Sequence, residues 1–264
     1  MTIASVAKAL DILTVFTTAE PRLTLTAISQ RLDMPKSTVH HLLSTLAQYH
    51  FIEKQDDDTY ALGKAIIPLT QSVIVNLELR DRAAPLLRAL ADSCHESVYL
   101  TALDGDSVLY IYAIESSQRL LARTAVGDRA PLYCTSVGKA VLAFCPPGTA
   151  DDLYAGAELQ QFTANTLTTL DALRADLALT RERGYAIDNQ EHELNTFCIG
   201  APIFNASSAV IGACSISGVR PQIIGGELAT LSEAVVNTAQ EISRRMGYVP
   251  ERMSLVRHQS VKTS

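Results

Sequence analysis

A pattern at residues 24–50 constrains the fold of this chain more than any other, because it predicts two short amphipathic helices joined by a tight turn. Thr24 stands where the first helix needs an N-cap, and apolar residues follow it at helical spacing. The turn falls at Asp33-Met34-Pro35, since Asp tolerates left-handed backbone and Pro suits the first turn of a helix. Two helices in this arrangement are typical of a helix-turn-helix.

The second of these helices has one apolar stripe and one polar, weakly basic face. Val39, Leu43 and Leu46 belong to the stripe that faces inward. The residues outside the stripe carry hydroxyl, imidazole or ammonium groups and no carboxylate: Lys36, Ser37, Thr38, His40, His41 and Ser44. Groups of these kinds hold phosphates or hydrogen-bond to base edges in the major groove. We expect this face to bind double-stranded DNA; the alternative is an ordinary solvated helix face.

A β-hairpin is predicted directly after the helices, with strands at residues 51–54 and 59–62. Helices followed by such a hairpin form a winged helix-turn-helix. The tip of the wing is Asp56-Asp57-Asp58, and three carboxylates avoid phosphates. We therefore expect the helix to carry most DNA contacts, with Lys54 and Arg31 as further backbone partners.

Composition and charge limit the class of protein. A net charge of −6 argues against non-specific coating of nucleic acid, although a local basic patch remains compatible with it. The five Cys residues form no CxxC pair, so we expect reduced thiols in a cytoplasmic protein without a metal site. No apolar run approaches the roughly 20 residues that a transmembrane helix needs, and no secretory signal is recognisable at the N-terminus.

The rest of the chain predicts a linker helix and an α+β domain of antiparallel strands and helices. Residues 64–80 form an apolar helical run that suits a linker. Beyond it, helices are expected at 81–93, 137–144, 168–183 and 226–246, and strands at 97–103, 108–114, 119–126, 185–188, 197–204 and 210–217. Asp104-Gly105 between the first two strands is a hairpin signal. The tail after Arg252 is expected to be frayed.

Four segments resemble the IclR family of bacterial transcriptional regulators. Pro35-Lys36-Ser37-Thr38-Val39-His40 is similar to the family's recognition helix. Gly127 to Ala140 resembles its first effector-domain motif. Arg183 to Asp188, followed by Glu191 and by Cys198 to Ile203, resembles the second motif, and Ser215 to Gly218 resembles the closing strand. The segments occur in the family's order over nearly the whole chain.

The resemblance implies a domain organisation and a function. It implies a winged helix-turn-helix at 1–63, a dimerising linker helix at 64–82, a GAF/PAS-like effector domain at 83–252 and a flexible tail at 253–264. It also implies a regulator, taken here as a repressor of a catabolic operon, that is governed by a small organic or sugar acid. Such regulators bind operator DNA as dimers or pairs of dimers, with no catalytic residue and no cofactor.

The resemblance also assigns effector contacts, and the residues themselves allow a second interpretation of some of them. The matched positions are Ser136, Val137, Asp188, Cys198, Ser215 and Ser217, and Arg119 is a candidate for a charge-assisted contact with an acid. The period of two along 210–217 puts Ser215 and Ser217 on one strand face. Cys198 and Gly200 likewise share a face, and we expect Gly200 to leave room for a ligand. Buried hydroxyls bonded to backbone, and a Cys acting as a small apolar residue, are the alternatives. Few aromatic residues are among these positions, which favours a small aliphatic acid.

Three residues depart from the family pattern. His41 stands where the family usually has Arg. A neutral His makes a weaker phosphate contact than Arg does. Gln190 replaces an acid and Asn195 replaces a Gly in the second motif. The changes at Gln190 and Asn195 concern the shape and charge of one loop.

Two other classes of function were weighed. One is an enzyme that uses Cys134 or Cys198 as nucleophile and His192 or His95 as base. No nucleophile motif or metal-ligand spacing supports it. The other is a GAF-like sensor that acts through protein contacts, for which the acidic wing tip and His41 are the only support.

Overall fold

The computed structural model describes residues 2–17, 20–71, 74–116 and 126–249, and the chain divides into two compact units, residues 1–77 and 78–264. The first unit contains α1 (Ala4–Thr14), β1 (Leu23–Thr24), α2 (Leu25–Arg31), α3 (Lys36–Gln48), β2 (Ile52–Lys54), β3 (Thr59–Leu62) and α4 (Ile66–Gln71). Its antiparallel sheet has the order β1-β3-β2. The short strand β1, which the sequence did not predict, pairs with β3 and makes the wing three-stranded.

The helix-turn-helix prediction is confirmed in detail. The Thr24 hydroxyl accepts a hydrogen bond from the Ala27 N–H at 3.2 Å and so caps α2. Asp33 adopts a left-handed φ of +47° between α2 and α3. Val39 and Leu43 are fully buried against the other helices and the sheet. Burial of these two residues fixes which face of α3 remains in solvent.

The second unit is built on α5 (Ile74–Cys94), which begins in the first unit. The predicted break between helices at 80 and 81 is wrong, because α5 runs through that point. No Gly or Pro interrupts the chain there, and Leu, Arg and Glu sustain a helix well. The domain boundaries inferred from the sequence remain predictions.

Six strands of the described residues form the sheet of the second unit. They are β4 (Ser97–Asp104), β5 (Ser107–Ile114), β6 (Arg129–Pro131), β7 (Ala186–Asn189), β8 (Phe197–Phe204) and β9 (Val210–Gly218), in the order β6-β5-β4-β9-β8-β7 and antiparallel throughout. The helices that follow α5 are α6 (Ser136–Phe144), α7 (Thr149–Tyr154), α8 (Leu170–Arg183) and α9 (Leu228–Arg245), with a 3₁₀ turn at Pro221–Ile224. This confirms the α+β class. Residues 119–125 of the strand predicted at 119–126 lie outside the described residues, and residue 126 is in a turn.

The two faces of the sheet bury different sets of apolar residues. Ile199, Cys214 and Ile216 share one core with residues of α5 and α9. Tyr99 and Ala213, on the opposite face, share a second core with residues of α6 and α8. The alternation of side chains along each strand produces both cores. Ser215 and Ser217 therefore lie together on the α6 side; their spacing had predicted the shared face but not the side.

The first hairpin of this sheet turns one residue later than predicted. Asp104 pairs with Ser107, so the loop is Gly105-Asp106. Gly105 has a φ of +65°. A Gly with positive φ at the first loop position is what a type II′ hairpin turn needs, because that turn matches the twist of the strands. Among the described residues, no helix combines the length and hydrophobicity needed to cross a bilayer.

Candidate functional site

The polar face of α3 is exposed in the first unit. Five of the six residues predicted there are exposed and Thr38 is half-buried: Lys36, Ser37, Thr38, His40, His41 and Ser44. The Ser44 hydroxyl donates to the His40 carbonyl at 2.8 Å, which leaves its oxygen free to accept. The face thus presents donors and acceptors without a carboxylate, as duplex recognition requires.

The cations next to the wing already have acidic partners. Lys54 Nζ lies 2.6 Å from Asp58 Oδ1, and this hydrogen bond raises the pKa of Lys54. Arg31 binds Glu20 through one nitrogen at 2.7 Å. Exposed pairs of this kind are weak, so phosphate can displace the carboxylates. Both cations are nevertheless poorer phosphate partners than the sequence suggested.

A cavity in the second unit lies between β4, β5, β8 and β9 and the first turn of α6. The cavity itself is small, about 30 Å³, and it opens into a wider cleft whose empty space, open solvent included, is about 380 Å³. Its walls are Tyr99, Tyr110, Thr135, Ser136, Asp188, His192, Glu193, Thr196, Cys198, Ser215 and Ser217. Five of the predicted effector contacts meet there. The Val137 side chain packs in the apolar core instead, and Arg119 lies outside the described residues.

Strand pairing brings three of these residues together. Asp188 on β7 pairs with Cys198 on β8, and Cys198 pairs with Ser217 on β9. The Cys198 thiol donates to Ser217 Oγ at 3.1 Å. Two residues further along the same strands, Ser215 pairs with Gly200. Three adjacent strands therefore present a carboxylate, a thiol and two hydroxyls on one surface.

The first turn of α6 forms the wall that faces these strands. The Thr135 hydroxyl caps the helix by accepting from the Gly138 N–H at 3.1 Å. A Cβ on Gly200 would lie 2.7 Å from the backbone carbon of Ser136 and 2.9 Å from the Val137 nitrogen. The sequence suggested that Gly200 leaves room for a ligand. That interpretation is wrong, because the backbone of α6 fills the space.

Asp188 is the main titratable group of the cavity. Its side chain is buried, and Oδ1 accepts a hydrogen bond from the Glu191 N–H at 2.7 Å. Burial raises the pKa of Asp188 to about 7, because desolvation disfavours its charged form. The nearby Glu191 carboxylate raises the pKa further, and Lys139 opposes both effects. The carboxylate thus changes charge within a physiological range.

Two hydroxyls in the wall are available to a ligand. Ser136 and Ser215 are 2% and 3% exposed, and neither side chain has a hydrogen-bond partner within the described parts of the chain. A buried hydroxyl without a partner is costly. For Ser215 the alternative was a buried hydroxyl bonded to backbone, and no such bond is formed within the described parts of the chain. Its contact with an effector stays a prediction.

Aromatic residues contribute more to the cavity than the sequence indicated. Tyr99 and Tyr110 pack edge to face, with ring centroids 5.6 Å apart, and the Tyr99 hydroxyl donates to Glu115 at 2.9 Å. The His192 ring lies 4.7 Å from that of Phe162, and burial lowers the pKa of His192. The pairing of Tyr99 with Ser215 across β4 and β9 explains the omission. The alternation of side chains along β4 does not show that Tyr99 faces the cavity until the pairing of β4 with β9 is known.

The surroundings of the thiols do not suit a nucleophile. Burial raises the pKa of Cys134 far above its usual value, whereas a nucleophilic Cys needs a lowered one. The Cys198 thiol donates its proton to the Ser217 hydroxyl, which is not a base at ordinary pH. Within the described ranges, no group of three or more His, Cys, Asp or Glu could hold a metal ion.

The two unusual residues of the loop after β7 are accommodated by its backbone. Gln190 and Asn195 have φ values of +60° and +59°. Asn adopts this region more readily than most residues, so it can stand where Gly is usual. Gln190 Oε1 accepts from the Asn195 N–H at 3.0 Å and closes the loop. The loop carries His192 and Glu193 to the cavity.

Comparisons with known proteins identify the family of both domains. Residues 5–56 match the model of the IclR helix-turn-helix domain, and residues 71–244 match that of the bacterial transcriptional regulator IclR C-terminal domain. The HTH-type transcriptional regulator XynR of Escherichia coli (strain K12) is 33% identical over 247 residues, which cover 93% of this chain and 98% of XynR.

Solved structures share the fold. The IclR protein of Thermotoga maritima has a TM-score of 0.77 and 29% identity, and the match covers 94% of this chain and all of that one. An IclR homolog of Microbacterium hydrocarbonoxydans, complexed with 4-hydroxybenzoate, has a TM-score of 0.81 at 22% identity, covering 92% and 98% of the two chains. The relatives are regulators and not enzymes. With both of its domains matched in order, this chain belongs to the IclR family and is a DNA-binding transcriptional regulator.

Proposed function

We propose that this regulator is a repressor of a catabolic operon and that a small hydroxylated organic or sugar acid, bound in the cavity, sets its affinity for DNA. The observation that carries the proposal is the set of unpartnered hydroxyls of Ser136 and Ser215 facing the buried Asp188. These groups lack partners that a ligand with both donors and acceptors would supply. Polar groups that converge on a cavity and have no protein partner can hydrogen-bond to a ligand, which is typical of a binding site.

The polarity of the walls supports a hydroxy acid over a keto acid. The first turn of α6 presents backbone N–H groups and Ser136, which favour a carboxylate. At the other end, the Asp188 carboxylate can accept a hydrogen bond, so a ligand hydroxyl suits it. Asp188 and Glu193 repel a second negative group, and no described Lys or Arg lines the walls. We therefore propose one carboxylate and at least one hydroxyl in the effector.

Tyr99 and Tyr110 in the wall are compatible with either an aliphatic or an aromatic effector, so the carbon skeleton of the effector has to be measured. A thermal-shift panel of glycolate, gluconate, pyruvate and 4-hydroxybenzoate tests it. We expect a concentration-dependent rise in Tm with at least one hydroxy acid and a smaller rise with pyruvate, since binding only to the folded state stabilises it. A shift with pyruvate alone would overturn the assignment of Asp188 as a hydroxyl acceptor.

Ser215→Ala tests effector binding in the cavity independently of DNA binding by α3. We expect the variant to bind operator DNA as wild type does and to need at least tenfold more hydroxy acid to release it, because one donor to the ligand is lost. Gel-shift titration measures both quantities. Ser232→Ala is the matched control, since Ser232 is buried in α9 and donates to its own helix. A wild-type response in Ser215→Ala would show that this hydroxyl does not contact the effector.

Lys36→Ala tests the recognition helix. We expect weaker binding at specific and non-specific sequences alike, because an exposed Lys at the start of a helix contacts phosphate. The slope of log K against log salt should become shallower by about 0.9 for one lost contact. Lys8→Ala on α1 is the control, as Lys8 is also exposed. A loss of affinity without a change of slope would assign Lys36 to base contacts instead.

The oligomeric state and the sign of regulation follow from the family resemblance and need their own tests. We propose a dimer or a pair of dimers on operator DNA, with half-sites about one helical turn apart. Light scattering with and without an operator duplex measures the assembly. Reporter expression in a strain without the gene distinguishes the roles: it should rise for a repressor and fall for an activator.

A further inference from the structure

Lys139 on α6 is a buried cation that does not line the cavity. Its side chain is 1% exposed, and Nζ lies 2.6 Å from Glu191 Oε1 and 3.0 Å from Asp176 Oδ2. Arg183, 3.9 Å from the other oxygen of Asp176, completes the network. A buried ion pair is weak evidence for stability, because desolvation offsets the attraction between the charges. A role beyond stability accounts better for an ammonium group in this place.

Glu191 connects Lys139 to the cavity. Its backbone N–H donates to Asp188 Oδ1 at 2.7 Å, while its carbonyl accepts from the Thr166 hydroxyl at 2.6 Å. Its side chain accepts from Lys139. Glu191 is therefore held at its N–H by Asp188, at its carbonyl by Thr166 and at its side chain by Lys139. If the Glu191 side chain lost its contact with Lys139 and moved, the hydrogen bond from the Glu191 N–H that orients the Asp188 carboxylate would be displaced.

We propose that Lys139 is a positioning residue of the effector site: acting through Glu191, it holds the Asp188 carboxylate in the orientation that meets the ligand. The inference rests on the proposed function, since it concerns the same cavity. The electrostatics agree with the geometry. The Lys139 charge lowers the pKa of Asp188, whereas the Glu191 charge raises it. Lys139 thus influences both the direction and the charge of a group that it does not touch.

The test follows the titration of Asp188 directly, in the full-length chain labelled with carboxyl-¹³C aspartate. The Asp188 resonance is assigned by its loss in Asp188→Asn. We expect Lys139→Met to raise the pKa of Asp188 and Glu191→Gln to lower it, because each change removes a charge of opposite sign. Glu191→Gln keeps a side-chain oxygen that accepts from Lys139, so it also serves if Lys139→Met does not fold.

Arg220→Met is the matched structural control. Arg220 binds the buried Glu96 at 2.7 Å. This pair lies on the opposite face of the sheet, because Glu96 is next to Gly218 and Ile223. We expect it to lower Tm without changing the titration of Asp188. The inference is overturned if Glu191→Gln leaves the pKa of Asp188 unchanged or raises it, or if Arg220→Met shifts it as much as the other variants do.

Binding of gluconate and glycolate gives the second readout. We expect affinity at least tenfold weaker in Lys139→Met, where Glu191 loses its anchor, and within threefold of wild type in Glu191→Gln, where the hydrogen bond persists. Equal losses in the two variants would overturn the positioning role. If neither acid binds the wild-type protein, the proposed ligand class fails, and the Asp188 titration still decides the role of Lys139.

Discussion

Asp188→Asn is expected to stabilise the second unit by about 4 kcal/mol at pH 8 and to abolish the response to the effector. The folded-state pKa of Asp188 is about 7, against 3.8 for an ordinary Asp. Each unit of difference corresponds to about 1.4 kcal/mol. The Asn side chain still accepts from the Glu191 N–H, but it carries no charge to desolvate. The stabilisation corresponds to a rise in Tm of about 10 °C.

The pH dependence of that gain identifies its cause. Below about pH 4 the carboxyl is protonated in both states, so Asp188→Asn and wild type should be equally stable. As pH rises from 4 to 7, the unfolded chain releases its proton first, and wild type loses stability relative to the variant. Above pH 7 the difference is constant. Thermal unfolding at pH 4 and at pH 8 measures it.

An exposed acid on α5 provides the control. Asp92→Asn should change Tm equally at both pH values. A gain for Asp188→Asn that is the same at pH 4 and pH 8 would contradict a buried, titrating carboxylate. Loss of the effector response with higher stability would show that the protein tolerates a destabilising carboxylate because the ligand needs it.

The helix-turn-helix could be predicted almost completely from the sequence, because local chemistry determines it. The Thr24 cap, the left-handed Asp33 and the buried stripe of Val39 and Leu43 involve only nearby residues. Two errors in the rest of the chain were also local. The break placed after Arg80 had no helix-ending residue behind it, and the hairpin turn shifted by one residue because Gly105 had to occupy the position of positive φ.

The cavity could be predicted only in part, since strand register determines what meets there. The spacing of Ser215 and Ser217 predicted that they share a strand face, but not which side of the sheet that face belongs to. Tyr99 and Tyr110 were missed, because their approach depends on which strands pair and in what register. Lys139 was missed for a similar reason: its partners Glu191 and Asp176 come from segments 52 and 37 residues away in the sequence.

Gly200→Ala is expected to damage the cavity more than the size of a methyl group suggests. The added Cβ would lie 2.7 Å from the carbonyl carbon and oxygen of Ser136 and 2.9 Å from the Val137 nitrogen. All three are backbone atoms, so α6 itself must move away from β8. Overpacking of this kind costs about 1–3 kcal/mol, or about 3–10 °C in Tm. The displaced helix start also carries Ser136 away from Ser215 and Asp188.

Gly226→Ala separates this steric effect from the general cost of changing a Gly. A Cβ at Gly226 meets no heavy atom within 4 Å, so we expect little change in Tm. Gly200→Ala should lower Tm, weaken hydroxy-acid binding at least tenfold and leave DNA binding intact, as measured by thermal shift and gel shift. If Gly200→Ala lowered Tm but kept wild-type affinity for the acid, the first turn of α6 would be a structural wall and not a ligand contact. The outcome thus decides whether the effector is bound between helix and sheet or by the strands alone.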